Sequence, residues 1–582
     1  MEEAKKDKNV KQAGDFDRRD LMKLGVAGAG LAMSVAPALG AAALSPQQIP
    51  AGQRTAAPEP AGRRQLGPPT GLLRPSTTRG VQQWPLIAGS QVIVASGQVG
   101  YTVHTGPGWK NDSGRANGNG PMDETTRRIT DFVDWYNESK LTPKLIETIN
   151  YLMADTLSVM YGAFETEPLR IIARLASTQR SDMKCTMLGY GVVTTPEMAA
   201  FGNSAAIRYT DFNTVPHNNE TLGAILAVGE GIHASGPQIM AALTIAYEII
   251  QSCGQAGDQV GPGRVEWDNT TYHAVAVACA VGKLLGLNKD QMGNAVSLAL
   301  TPHNALYSHI GVQTMWKGVH SSEMVRTGTW AALLAQAGMT GPPQPFEMRD
   351  GLLTHQGNFV RDLVFASHDD DTTQLEVIHG SGGGYKRVAS EGNTQEFHQI
   401  IAPEVLKWTK PEEIDSMDLL VRSMYQWQEV CDPPKWDPQN KETADHSLPY
   451  NIARHLLDGY LYLDSFSRDK YQDPKARDLM NRIRVRPNVS EDNGPQTLTI
   501  RKKSGETRTF TGGTVAPMSH DDIIAKYNKA ADYGGVSKDQ AARALKTWMN
   551  LKDVKDIGDA IQVVAKFGNP RPLSDKTPAQ YD

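Results

Sequence analysis

The chain has 582 residues, 40% of them hydrophobic and 21% charged, with 59 Lys and Arg against 64 Asp and Glu for a net charge of -5. That length exceeds what one ordinary core serves and predicts two domains with ample apolar material for both. The balance creates no basic field and sets nucleic-acid binding aside, whereas a few lysines in a cleft still suffice for an anionic small molecule.

In chain order, the first signal is Arg18-Arg19-Asp20-Leu21-Met22-Lys23, followed by an apolar run from Leu24 to Leu44 with small-residue exits at Ala36-Pro37-Ala38 and Ala41-Ala42-Ala43. Paired arginines before such a run predict a twin-arginine export signal over 1–43, and hence a periplasmic or secreted protein. A permanent anchor is the alternative, but Gly25, Gly28 and Gly30 keep the run weakly hydrophobic. No later segment has eighteen uninterrupted apolar residues, so no membrane contact is expected after signal cleavage.

Residues 44–123 are rich in Gly, Pro, Gln and Thr, and read as an extended arm with one β-like stretch at Gln91 to Val94. Helical periodicity starts near Glu124, where Ile129, Phe132, Val133 and Tyr136 recur at three- and four-residue spacing. Pro143 opens a second helix through Leu145, Ile149, Leu152, Met153 and Leu157. Further helices are expected near 166–178, 195–209, 219–233, 237–253, 270–287, 289–301 and 319–338, several apolar nearly all round as in the interior of a bundle. After about Gly380 the texture changes. Met417–Met424, Ile483–Arg486, Leu498–Arg501 and Thr507–Thr511 read as strands, the last two joined by a turn at Lys503-Ser504-Gly505-Glu506. Helices return near 520–532, 538–550 and 554–566.

The predicted fold is therefore mainly α: a large all-helical domain built from N- and C-terminal parts, 124–380 and 518–570, with a smaller α+β lid inserted at 381–517 and a tail at 571–582. Cys185, Cys253, Cys279 and Cys431 are far apart, contain no C-x-x-C, and read as four buried free thiols. No metal motif of the H-E-x-x-H kind occurs.

Four segments concentrate reactive side chains. Asp211-Phe212-Asn213-Thr214-Val215-Pro216-His217-Asn218-Asn219-Glu220-Thr221-Leu222-Gly223 places a carboxylate, an amide, a hydroxyl and an imidazole before a helix start near Thr221, where free N–H groups favour an anion. Met315-Trp316-Lys317-Gly318 offers a lysine beside a glycine turn. Gly382-Gly383-Gly384-Tyr385-Lys386-Arg387, followed by Glu391-Gly392-Asn393-Thr394-Gln395, joins a hinge to two cations. Glu442-Thr443-Ala444-Asp445-His446-Ser447-Leu448-Pro449-Tyr450 opens a helix, with Asp445 and His446 reading as a loop-stabilising pair. Taken singly, each segment is equally an ordinary cap, turn or solvated loop.

In this order the segments resemble the 2-methylcitrate dehydratase (MmgE/PrpD) family, which also contains cis-aconitate decarboxylase; the resemblance spans about Glu124 to Phe567. It implies a pocket between the domains, a dimer, no metal and no cofactor. By position it implies Asp211, Thr214, His217 and Tyr450 as catalytic residues, with Lys317, Lys386, Asn213 and Asn269 binding substrate. Three departures stand out. Asn213 leads directly to Thr214 in a short loop; Trp267 or Asn269 stands where the family places a second His, with His273 a turn later not expected to replace it; and Asn393 stands where E-G-H-T is common. The implied activity is a hydro-lyase on a small hydroxy-polycarboxylate. A decarboxylase or epimerase on the same scaffold and an exported carboxylate-binding protein are the alternatives.

Overall fold

The computed structural model describes residues 122–257, 270–302, 311–348, 384–489 and 494–575, with 268, 306, 351–353, 363 and 365, and the backbone of 91–93 and 101–103. The export signal at 1–43, most of the arm, Trp267, Asn269 and the hinge glycines Gly382 and Gly383 lie outside these residues. Within the arm, β1 (Gln91–Ile93) pairs antiparallel with β2 (Tyr101–Val103).

Helix α1 (Glu124–Trp135) starts where Asp123 accepts from the Thr126 N–H at 2.8 Å, and it buries Ile129, Phe132 and Val133 on one stripe. Helix α2 (Pro143–Ala163) has Thr142 as its cap and is buried without a break from Leu152 to Ala163. After α3 (Glu167–Ala176), a hairpin the sequence pattern did not suggest pairs β3 (Cys185–Met187) with β4 (Val192–Thr194). Gly189 and Gly191, at φ 88° and 65°, supply its left-handed turn.

The Ala-rich helices α4 (Pro196–Arg208), α5 (Leu222–Gly231), α6 (Gly236–Gly257), α7 (Thr271–Leu284), α8 (Lys289–Leu300) and α9 (His320–Gln336) pack on one another in a bundle. Small residues let the backbones approach: a Cβ at Gly223 on α5 would stand 2.5 Å from the Ser204 nitrogen on α4. The same core takes in the last helices of the chain. Helix α16 (His520–Tyr533) lies on α2, and α18 (Ile557–Val564) on α5, with α17 (Lys538–Trp548) between them; Tyr527, Trp548 and Ile561 share a cluster with Leu152 and Ile225.

A second core, from Val388 to Phe510, surrounds a four-stranded sheet of order β6-β5-β7-β8. Here β5 is Ile414–Val421, β6 Ile483–Pro487, β7 Thr497–Lys502 and β8 Thr507–Thr511. Strand β5 is parallel to β6 and antiparallel to β7. Its buried residues are Ile414, Met417, Leu419 and Val421; a register shift between Ile414 and Ser416 lets the odd spacing from 414 to 417 face inward. The strand ends three residues before the expected Met424, because Ser423 caps a new helix by accepting from the Gln426 N–H. That helix, α11 (Met424–Val430), and α10 (Ala402–Trp408), α12 (Lys441–Asp445), α13 (Leu448–Asp458), α14 (Arg468–Tyr471) and α15 (Pro474–Met480) complete this part. The chain is thus mainly α, with few strands. All four cysteines are buried and unpaired.

The second core also holds a histidine pair. His398 and His455 stack at 5.0 Å between ring centroids, with their Nδ1 atoms 2.8 Å apart. Burial holds His398 well below the usual imidazole value and lowers His455 to about 4. Both are therefore neutral when folded but take up a proton when unfolded below about pH 6.5, so their contribution is present at neutral pH and lost as pH falls. Replacing His455 by asparagine is expected to remove about 1.4 kcal/mol per pH unit from the slope of stability between pH 6.5 and 4.5. Urea titrations at several pH values check this; identical slopes in variant and wild type would refute it.

Candidate active site

Helix α4 ends at Arg208, and the chain then turns through Asp211, which holds φ 51° in the left-handed region although it is not a glycine. Such strain persists only when surrounding contacts hold it, and here they do. The Asp211 carboxylate meets Arg208 in a very short ion pair, Lys386 Nζ at 3.0 Å and Lys317 Nζ at 3.6 Å. Lys386 also donates to the Asp211 carbonyl at 2.7 Å. Arg208 Nε reaches on to Glu220 at 3.2 Å. All of these side chains are buried. Burial pushes the Asp211 carboxyl up, but Arg208, Lys317 and Lys386 together outweigh it and hold it well below the usual range.

Lys317 lies on a 3-10 turn, Met315–Gly318, directly before α9. A Cβ at Gly318 would stand 2.6 Å from the Tyr209 ring, so the glycine lets this turn press onto the end of α4. Burial first, then the charge of Arg208, lowers Lys317 to about 8. Lys386 comes from the segment at the junction of the two cores, where the Val215 N–H donates to the Gly384 carbonyl at 2.8 Å.

His217 flanks the group. Its Nδ1 is 3.7 Å from Glu220 Oε1, and burial, then Arg208 and Lys386, keep it well below the usual imidazole value. It is a neutral ring able to accept a proton. His273, set aside in the sequence, reaches the same loop: its Nε2 lies 3.4 Å from the His217 carbonyl and 3.9 Å from Glu220. Asn213 donates to Glu220 and Asn219, each at 3.1 Å, and Thr214 donates to the Pro216 carbonyl at 3.3 Å. Both side chains brace the loop. Asn213 Oδ1, His217 Nδ1, both polar atoms of Asn218, Glu220 Oε2 and His273 Nδ1 are buried without a hydrogen-bond partner. Buried polar groups are ordinarily paired, so these atoms keep hydrogen-bonding capacity for a polar ligand.

The structure thus brings together Asp211, Asn213, Thr214, His217, Lys317 and Lys386. Asn269 lies outside the described residues. Tyr450 is not brought to the group: its hydroxyl donates to the Ser465 carbonyl at 2.5 Å, within the second core. The phenol is enclosed by the apolar residues that pack α13, so helix amphipathicity and not the cleft decides its direction.

Several contributors were given no role in the site from the sequence. Arg208 in a last helical turn reads as an ordinary C-terminal cation, and Glu220 as a first-turn acid. His446 was taken only as Asp445's partner; it is that, at 2.5 Å, but its other nitrogen also contacts Lys317 closely. Glu391, partly exposed, is pushed up to about 7 by burial and then by Asp211, so it titrates near neutrality beside the group. Lys526 of α16 pairs with buried Asp155 at 2.6 Å and donates to the Phe212 carbonyl at 2.8 Å, tying the C-terminal helices to the Asp211 loop.

Chemically, three buried cations, Arg208, Lys317 and Lys386, converge on two carboxylates, Asp211 and Glu220. Of the further carboxylates, Glu391 is pushed up to about 7 and carries only part of a charge near neutrality, and Asp445 is matched by its own Lys441 at 2.6 Å. A surplus of buried positive charge invites an anion. No group of three or more His, Cys, Asp or Glu among the described residues is arranged to hold a metal ion.

Two family models and several named proteins match the chain. Residues 127–357 match the model of the MmgE/PrpD N-terminal domain, and residues 400–551 that of the MmgE/PrpD C-terminal domain. A Homo sapiens protein named cis-aconitate decarboxylase is 23% identical over 466 residues, covering 75% of this chain and 94% of that protein. An Escherichia coli (strain K12) protein named 2-methylcitrate dehydratase is 29% identical over 439 residues, 69% of this chain and 86% of that protein.

Proposed function

Because the chain belongs to the MmgE/PrpD family, we propose that it is a lyase that removes water from a small hydroxy-polycarboxylate, with no metal involved. The observation that carries this reading is the surplus of buried cations at Asp211. Lys317 and Lys386 bind substrate carboxylates, and in a water-poor cleft they also stabilise the charge that builds up as a proton leaves the adjacent carbon. Asp211 stays ionised and holds the two ammonium groups in place. His217 is the base. The same cations that depress its basicity are neutralised by a bound polyanion, so substrate binding itself makes His217 a better proton acceptor. Residues 381–517 act as a lid, hinged near Gly384, that admits substrate and expels water. The chain works as a homodimer after export by the twin-arginine route.

The near-complete coverage of a protein named cis-aconitate decarboxylase favours a second reading, loss of CO2 from an unsaturated tricarboxylate on the same cations. A panel of di- and tricarboxylates, with products read by NMR, separates the two. Water loss creates an alkene at constant carbon count, and decarboxylation releases CO2. An unchanged mass with inverted stereochemistry means epimerisation. Binding with no product leaves a carboxylate-binding protein, an outcome that overturns both lyase readings. Export has its own check: exchanging Arg18 and Arg19 together for lysine is expected to leave the folded protein in the cytoplasmic fraction, and undiminished export would count against a twin-arginine signal.

A further inference from the structure

Lys317 is held by more than Asp211. On its other side a chain of buried contacts runs from its Nζ to His446 Nε2, from His446 Nδ1 to Asp445 Oδ1 at 2.5 Å, and from Asp445 Oδ2 to Lys441 Nζ at 2.6 Å. Lys441 in turn donates to the Tyr209 carbonyl at 2.6 Å and lies 4.3 Å over the Tyr209 ring, anchoring the chain to the end of α4. The tautomer of His446 follows from these partners. A carboxylate accepts, so Nδ1 carries the hydrogen and Nε2 presents a lone pair to the Lys317 ammonium. An ammonium that serves only as a fixed charge needs no such oriented acceptor behind it.

We propose that His446, oriented by Asp445, is a positioning residue that holds Lys317 as the proton donor to the departing oxygen of the substrate. This rests on the lyase reading above. As the C–O bond breaks, its electron pair leaves on oxygen, which takes a proton from Lys317 Nζ and departs as water. The proton on the adjacent carbon goes to His217, and the pair of that C–H bond becomes the new C=C bond. One proton then passes from His217 back to the Lys317 amine through solvent, and no co-reactant is needed.

The charged and titratable groups facing Lys317 are Arg208, Asp211 and His217 from α4 and the loop after it, Lys386 and Glu391 from the junction segment, and Asp445 and His446 from α12 and its end. Burial and Arg208 bring the amine to about 8, where it gives up its proton readily, while burial and the Lys317 charge keep His446 neutral, lowered to about 3. Removing the imidazole acceptor disfavours the ammonium and moves the Lys317 midpoint to lower pH. Asp445→Asn acts in the same direction by removing a nearby anion, and its amide also stabilises the opposite tautomer, whose Nε2–H would face the ammonium.

The test reads Lys317 directly. Carbamylation by cyanate, a small anion, is followed at Lys317 by mass spectrometry as a function of pH in the full chain, alongside kcat and KM on the substrate found by the panel. In wild type the midpoint is expected near pH 8, matching the alkaline limb of kcat. In His446→Leu and Asp445→Asn both move down by about one pH unit or more, kcat falls roughly 10²-fold and KM changes within about threefold. His446→Gln, which keeps an acceptor oxygen and guards against a misfolded leucine variant, restores most of the midpoint. An unchanged midpoint and kcat in all three variants overturns the relay, as does a Lys317 that cyanate never reaches. Shifted carbamylation with no turnover of any polycarboxylate by wild type instead supports the relay while refuting the lyase reading.

Discussion

Replacing Lys317 by alanine is expected to lower kcat/KM by about 10²–10³-fold, equivalent to about 2.7–4 kcal/mol of transition-state stabilisation, the range seen when one preorganised donor is removed. The large effect follows from position. The Lys317 side chain is 4% exposed and lies 3.6 Å from a carboxylate shared with two other cations, so water screens it poorly. An exposed loop lysine would lose almost nothing. Folding survives the change because Asp211 keeps Arg208 and Lys386 as partners, so no buried charge is left alone. In wild type the activity should fall as pH rises through about 8, since the ammonium is the active form; in the alanine variant that limb should vanish. Steady-state kinetics with circular dichroism as a folding control decide the matter, and wild-type rates in a folded variant would reduce Lys317 to a structural cation.

Replacing Lys526 by methionine is expected to cost about 3–5 kcal/mol of stability, because it strands Asp155, which is fully buried, without its counter-ion. Burial already raises the Asp155 carboxyl despite Lys526, so the variant relieves part of the cost by protonating it. Its stability should therefore improve as pH is lowered, since the neutral acid is the form this pocket accepts, and by more than in wild type, where Lys526 offsets part of the rise. The double variant with Asp155→Asn should recover much of the loss. Activity should fall as well, because Lys526 also holds the Phe212 carbonyl beside Asp211. Denaturant midpoints and kcat measured together test this; a stable, fully active single variant would mean that the C-terminal helices do not hold the site loop.

The helices were legible where periodicity is strong. Segments expected at 195–209, 270–287 and 289–301 form at Pro196–Arg208, Thr271–Leu284 and Lys289–Leu300. The β3–β4 hairpin was not, because three-residue strands are too short to show alternation. The short helices of the second core were hidden in the same way, since four to seven residues are too few to show a period.

By itself the sequence determined the mainly helical class, the absence of a basic field, the buried free cysteines and the order of the motifs, because these depend on local pattern and composition. It also named six of the residues that meet around Asp211, through the order in which their motifs occur. Only the tertiary structure decided what those residues contact. Whether Asp211 is a proton acceptor or a counter-ion depends on the number of cations within about 4 Å, and those cations come from positions 208, 317 and 386. Tyr450 left the site and His446 entered it although they are four residues apart, because His446 caps the end of α12 while Tyr450 stands in the first turn of α13, and the break between the two helices sends the side chains to different neighbours. Burial, which sets each proton affinity in the group, is a property of the packed fold and is not written in any one segment.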